Sequence, residues 1–116
     1  MHNPFKHAGD GLLWAIRTQP NYRIHLILSI ATIILGVLFG ISVPEWILLV
    51  LLITVGLVLE AINTAIEYTN NAITSEWKHE IKIAKDVSAA AMLTYAIGVT
   101  IIALIIFVPK LILFID

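Results

Sequence analysis

The sequence predicts an all-α integral membrane protein, with three transmembrane helices preceded by an amphipathic helix on the membrane surface. Composition is the first reason. Of 116 residues, 59% are hydrophobic and only 13% charged, with a mean hydropathy of +0.96. Soluble domains carry about 25% charged residues, and a chain this short leaves much of its area exposed however it folds. Lipid is therefore the expected solvent. The second reason is that the apolar residues fall into three long runs. The third is the distribution of charge: six of the seven Lys and Arg residues lie before the first run or between the second and third. The whole chain, 1–116, reads as one membrane-embedded domain.

The elements follow in order. Over about 4–18, Phe5, Ala8, Leu12 and Ile16 recur at helical spacing, with Leu13 and Trp14 widening the stripe and Lys6, Asp10 and Arg17 opposite. That pattern suits a helix lying in the interface. The first span covers about 24–42, where only His25, Ser29 and Thr32 interrupt the apolar run; a membrane helix needs about 20 residues. It starts too far into the chain, and lacks the small-residue pattern, to be a cleaved signal, so it is expected to be a permanent span. Ser42-Val43-Pro44-Glu45 reads as a short turn. The second span covers about 45–72 and ends in polar residues without a helix breaker. The third covers about 83–108, with Pro109 ending the helix or beginning a frayed tail.

Lys6, Arg17, Arg23, Lys78, Lys82 and Lys85 fall on one side, and only Lys110 falls on the other. The positive-inside rule then puts the N-terminus and the 68–85 segment in the cytoplasm and the C-terminus outside.

Some chemistries are excluded. Without cysteine there are no disulfides, thiolate metal sites, iron–sulfur clusters or thiol catalysis. A net charge of -1 excludes a strongly basic nucleic-acid binder. There is no Walker loop and no HExxH motif, and Gly9-x-Gly11 is too short to be a phosphate loop. The four histidines are scattered, and His25 beside Arg23 reads as an interfacial anchor. Gly36-x-x-x-Gly40 matches a helix-packing pattern that is often packing alone.

The polar residues inside apolar helices carry the functional signal. An ionisable side chain at the centre of a membrane helix costs about 2.5–3.5 kcal/mol on insertion scales. Glu60, Asn63 and Glu67 lie at i, i+3 and i+7, on one helical face, with Thr64 beside it. A helix that has simply reached water accounts for Glu67. It accounts less well for Glu60, because Ala61, Ile62, Ala65 and Ile66 carry the apolar side past it. Lys85-Asp86 is expected to open the third span. There Asp86 suits the helix dipole, while Lys85 does not and suggests a phosphate clamp. The small residues from Ser88 to Ala91 allow close helix packing or the approach of a lipid headgroup.

Glu60-Ala-Ile-Asn63-Thr-Ala-Ile-Glu67, followed eighteen residues later by Lys85-Asp86-Val-Ser-Ala-Ala-Ala, resembles the signature of the prokaryotic diacylglycerol kinase family. Phe5-Lys6-His7-Ala8 and Asn21-Tyr22-Arg23-Ile24-His25 resemble its undecaprenol kinase branch, typical of Gram-positive bacteria. The resemblance spans nearly the whole chain. It implies a homotrimer of three-span subunits in the bacterial cytoplasmic membrane, each with a surface helix, phosphorylating a lipid hydroxyl from Mg²⁺-ATP. By position, Glu60 corresponds to the general base and Glu67 to a metal ligand, with Asn63 between them in the site. Lys85 and Asp86 correspond to nucleotide contacts, as do Glu76, Trp77, Lys78 and His7. Two positions depart from the family pattern. Gln19 stands where a glutamate acts as second metal ligand; its amide oxygen can still meet magnesium but brings no charge. Asn71 stands where the family has an aspartate.

The leading expectation is thus a lipid kinase acting on undecaprenol, with diacylglycerol as the alternative substrate. Two other classes compete. Glu60 and Glu67 suggest a proton- or ion-conducting oligomer, although no polar face continues toward Trp46. A non-catalytic partner subunit is the third, and Gln19 and Asn71 favour it slightly.

Overall fold

The computed structural model describes residues 3–116. They form four helices: α1 (Pro4–Thr18), α2 (Pro20–Phe39), α3 (Val43–Ile73) and α4 (His79–Ile115). The last three are long and apolar enough to cross a membrane.

Local sequence sets the breaks. The Asn3 side chain accepts from the N–H groups of Phe5 and Lys6 at 3.1 and 3.2 Å, and Pro4 starts α1. Gln19, in extended backbone, ends α1 and also caps α2, whose first residue is Pro20. Proline suits that first position because its missing N–H would have no helical partner there. Gly40 ends α2 at φ 61°, in the left-handed region that favours glycine. A reciprocal cap then starts α3: the Glu45 N–H donates to Ser42 Oγ at 3.4 Å, and the Ser42 N–H donates to Glu45 Oε1 at 2.9 Å.

Several helix boundaries differ from the sequence expectation: α2 runs Pro20–Phe39 and not about 24–42, and α3 begins at Val43, inside the expected turn. The third span does not open at Ile83 but at His79. Its first turns are polar, so hydropathy alone misses them. Glu80 suits the helix start, and Lys82 pairs with Asp86 at 2.6 Å one turn on. Pro109 neither ends the helix nor begins a tail, since α4 runs on to Ile115. Proline has no N–H to give the carbonyl one turn back, but membrane helices tolerate such an interior position.

The three long helices pack as two antiparallel hairpins, tied at both ends. At one end His25 of α2 meets Glu60 of α3, and Ser88 and Lys85 of α4 reach Asn63 and Asn71 of α3. Trp14 of α1 packs edge-on against Tyr68 there, with centroids 5.0 Å apart. At the other end Lys110 pairs with Glu45 at 3.1 Å, and Phe39 stacks edge-on against Phe107 and Phe114. Ile41, Leu49 and Ile106 form the small buried core. Few residues of each span are buried, so most of the apolar surface is left for lipid or another copy of the chain.

Two glycines permit close approach. A Cβ at Gly36 would lie 2.8 Å from the Trp46 ring, so the first glycine of Gly36-x-x-x-Gly40 serves the α2–α3 hairpin within the chain. A Cβ at Gly56 would lie 2.5 Å from Tyr95 Oη, whose hydroxyl donates to the Leu52 carbonyl. Gly56→Ala should therefore push Tyr95 off this carbonyl and destabilise the α3–α4 pair by about 1–3 kcal/mol, the usual cost of overpacking. Thermal unfolding in detergent checks it. A midpoint equal to wild type would mean that the Tyr95 contact does not hold the pair.

Candidate active site

The polar groups gather where the N-terminal end of α2, the C-terminal half of α3 and the first turns of α4 meet. They divide between two openings that share a wall on α3.

The larger opening is a groove of about 690 Å³ between α2, α3 and α4. Asn21, His25 and Glu60 line one end. From there the groove runs past Leu28, Leu49, Leu93 and Val99 to Ile106. Between Glu60 and Leu49 it follows α3 for about 16 Å, at 1.5 Å per residue. It also contains hydroxyls, but these are already donated. Ser29 donates to the His25 carbonyl at 2.6 Å, Thr32 to Leu28 at 2.7 Å, Thr100 to Ala96 at 2.6 Å, and Tyr95 to Leu52. Away from its polar end the groove therefore behaves as hydrocarbon.

Glu60 is 4% exposed. One turn on, Thr64 is also buried and donates its hydroxyl to the Glu60 backbone carbonyl at 3.0 Å. His25 Nε2 stands 3.7 Å from Glu60 Oε2. A carboxylate in so little water and beside one imidazole suits proton acceptance more than a structural ion pair.

The smaller opening is a cleft of about 140 Å³ between α3 and α4, lined by Asn63, Ile66, Glu67, Lys85, Ser88 and Ala89. Ser88 Oγ donates to Asn63 Oδ1 at 2.5 Å and fixes the carboxamide. Lys85 Nζ donates to Asn71 Oδ1 at 2.8 Å. That neighbour is neutral and brings no countercharge. Along α3 the two carboxylates are about 10 Å apart, with Asn63 between them.

The expected face of Glu60, Asn63 and Glu67 is thus turned toward the bundle, but Glu60 opens into the groove and the other two into the cleft. Lys85 joins Asn63 and Glu67. It does so from the side of α4, nearly two turns past His79, and not from a helix N-terminus as the sequence suggests. Asp86 is paired with Lys82 and does not line the cleft. Gln19 Nε2 donates to Thr18 Oγ1 at 3.1 Å and to Tyr68 Oη at 3.3 Å, so it is held beside the residue next to Glu67. Glu76, Trp77 and Lys78 form the exposed link between α3 and α4. Glu76 lies 3.9 Å from Lys78, and Trp77 stacks near His79. His7 is on exposed α1. His2 lies outside the described residues.

Two residues in these openings have lesser roles on the sequence alone. His25 reads there as an interfacial anchor, and Ser88 as one of several small packing residues. Each acquires its neighbour across a helix–helix contact, which spacing within one helix does not reveal. The only local hint is the polarity of His25 within an apolar run.

The structure is a bundle of three helices long and apolar enough to span a membrane, with a buried carboxylate at one end of an apolar groove and a lysine-bearing cleft beside it. Residues 6–107 match the prokaryotic diacylglycerol kinase family, and the chain belongs to it. It is 41% identical over 107 residues to the undecaprenol kinase of Bacillus subtilis, covering 92% of this chain and 87% of that protein. It is 33% identical over 108 residues to the diacylglycerol kinase of a Synechocystis species, covering 92% of this chain and 62% of that one.

The Asn63–Ser88 tie is testable without an activity. Asn63→Ala and Ser88→Ala should each destabilise the protein, and the double variant by less than their sum. A neutral hydrogen bond predicts a coupling of about 0.5–1.5 kcal/mol. Simple additivity in denaturation would mean that the two side chains are independent.

Proposed function

We propose that this lipid kinase transfers the γ-phosphoryl group of ATP to undecaprenol, forming undecaprenyl phosphate at the cytoplasmic face of a bacterial membrane. The observation that carries the reading is the 41% identity to an undecaprenol kinase over 92% of the chain. Diacylglycerol is the second substrate class, favoured by the 33% identity to a diacylglycerol kinase. The groove supports the polyprenol. Diacylglycerol carries two ester groups near its hydroxyl, whereas beyond Asn21 and His25 the groove hydroxyls are already bonded to backbone. A single alcohol on a hydrocarbon chain suits that lining better.

Phosphoryl transfer asks a protein mainly for positioning, charge neutralisation and an activated hydroxyl. Glu60 accepts the lipid hydroxyl's proton as the alcohol oxygen bonds to the γ-phosphorus and the bond to the departing ADP oxygen breaks. Asn63, in the cleft about one turn from Glu60, orients the reacting phosphoryl group. Lys85 neutralises phosphate charge. Asp86, Glu76, Trp77, Lys78 and His7 contact the nucleotide.

The donor set suits magnesium arriving with the nucleotide. Among the described residues no three His, Cys, Asp or Glu side chains gather to hold a metal on protein ligands alone. Magnesium in nucleotide sites is held by one or two carboxylates together with substrate phosphates. Glu67 would hold it, with Gln19 as the second, uncharged ligand. When bound, the cation supplies charge neutralisation at the phosphates.

The reading includes a homotrimer, supported by the large apolar surface that one chain leaves uncovered. It also includes α1 as a membrane-surface helix, supported by its apolar stripe and by Trp14 against Tyr68. The basic residues favour a cytoplasmic N-terminus and an outward C-terminus; Lys110, the exception, is paired with Glu45.

Purified protein incubated with labelled ATP, Mg²⁺ and either lipid tests the function. Label should enter undecaprenol more than diacylglycerol, and the reverse preference would move the assignment to diacylglycerol. In the same assay Glu60→Gln should lower kcat by about 10²–10⁴-fold, the usual contribution of a general base. Activity within a few-fold of wild type would remove Glu60 as the base. Gln19→Glu adds ligand charge beside Glu67, so half-maximal activity should need less Mg²⁺ while the lipid KM changes little. An unchanged Mg²⁺ dependence in both Gln19→Glu and Gln19→Ala would remove Gln19 from the site.

A further inference from the structure

Beside the buried carboxylate stands a second group able to exchange hydrogen bonds. His25 Nε2 lies 3.7 Å from Glu60 Oε2, and the two residues come from different helices. The separation is too long for a direct hydrogen bond. Both side chains line the polar end of the groove. His25 remains 31% exposed at its side chain, while Glu60 is 6% exposed at its own.

A third atom set off the line joining two atoms 3.7 Å apart, on the open groove side that both line, can lie within about 2.7–3.0 Å of each, the hydrogen-bond range. A carboxylate can only accept, and a neutral imidazole can donate through Nε2–H. That position beside them is therefore bordered by one acceptor and one donor. An alcohol has one O–H and two lone pairs, and satisfies both at once. An ether or ester oxygen satisfies only the donor, and a hydrocarbon neither. The other groove hydroxyls do not compete, because Ser29, Thr32 and Thr100 donate to carbonyls of their own helices.

The geometry points to His25 as the second half of a hydroxyl-binding subsite, with its Nε2–H donating to the oxygen of the lipid alcohol while that alcohol donates its O–H to Glu60. This rests on Glu60 being the base. One lone pair of the alcohol oxygen faces His25, and the other is left to attack the γ-phosphorus. On transfer, the O–H bond breaks toward Glu60, the O–P bond forms, and the bond from the γ-phosphorus to the ADP oxygen breaks. His25 gives up no proton. It selects an alcohol over a chain end without one and aims the oxygen's free lone pair.

Steady-state kinetics on the full-length protein with undecaprenol tests this. His25→Leu should lower kcat/KM for the lipid by about 10-fold or more, since a buried acceptor loses its donor, and leave the KM for Mg²⁺-ATP unchanged. His25→Gln keeps an N–H donor and should recover most of the loss, which a purely structural histidine would not allow. A His25→Leu variant with wild-type lipid kinetics, or a folded His25→Gln as impaired as His25→Leu, would overturn the inference. The unmodified protein offers a second test. Undecaprenyl methyl ether should inhibit about 3–10-fold more tightly than the parent hydrocarbon, because it accepts one neutral hydrogen bond that the hydrocarbon cannot. Equal inhibition would overturn the donor role. Wild-type protein inert toward both lipid alcohols would overturn the kinase reading and this inference together. Transfer with silent His25 variants would overturn this inference alone.

Discussion

Placing a carboxylate on an apolar helix constrains everything around it. Glu60 sits at the end of a long hydrophobic stretch of α3 and is almost wholly shielded from solvent. Such a group is tolerated only where other groups or a substrate meet its lone pairs. The rest of the bundle can be understood as what brings those groups to it. The Gln19–Pro20 break turns the chain into α2 so that His25 comes level with Glu60. The Gly40 turn and the Ser42–Glu45 cap set the register of α2 against α3. Gly56 lets Tyr95 close α4 onto α3, one turn from the acid.

The same packing separates two environments along one face. On the groove side, every described hydroxyl away from the polar end is bonded to backbone, and the lining is hydrocarbon. On the cleft side, Glu67 and Lys85 bring opposite charges to a small opening. A lipid alcohol and a nucleotide belong to different phases, and a helix that crosses the boundary can present one to the other. Asn63 lines the cleft about one turn from Glu60, held by Ser88.

Much of this is legible in the amino-acid sequence, for a physical reason. In lipid, backbone polar groups must be satisfied within the segment, so a long apolar run means a helix. The helical period by itself then puts Glu60, Asn63 and Glu67 on one face. The helix starts are less legible: α4 begins in the polar His79-Glu80 turn, and hydropathy registers only the apolar part that follows. Hydropathy accordingly puts Lys85 at a helix end when it belongs to a helix side. His25 opposite Glu60 and Ser88 opposite Asn63 depend on the rotation and register of one helix against another. Those are set by Gly36 against Trp46 and Gly56 against Tyr95, contacts that no single-helix pattern contains.

The central claim is that the lipid lies in the groove that ends at Glu60. Photo-crosslinking locates it directly, with a photoreactive residue at Val99 in the groove or at Ile105, which lies outside it and is 67% exposed. The account predicts that labelled undecaprenol crosslinks at Val99, that unlabelled undecaprenol competes the product away, and that Ile105 gives only weak crosslinking that does not saturate. Equal, non-saturable labelling at both positions would contradict it.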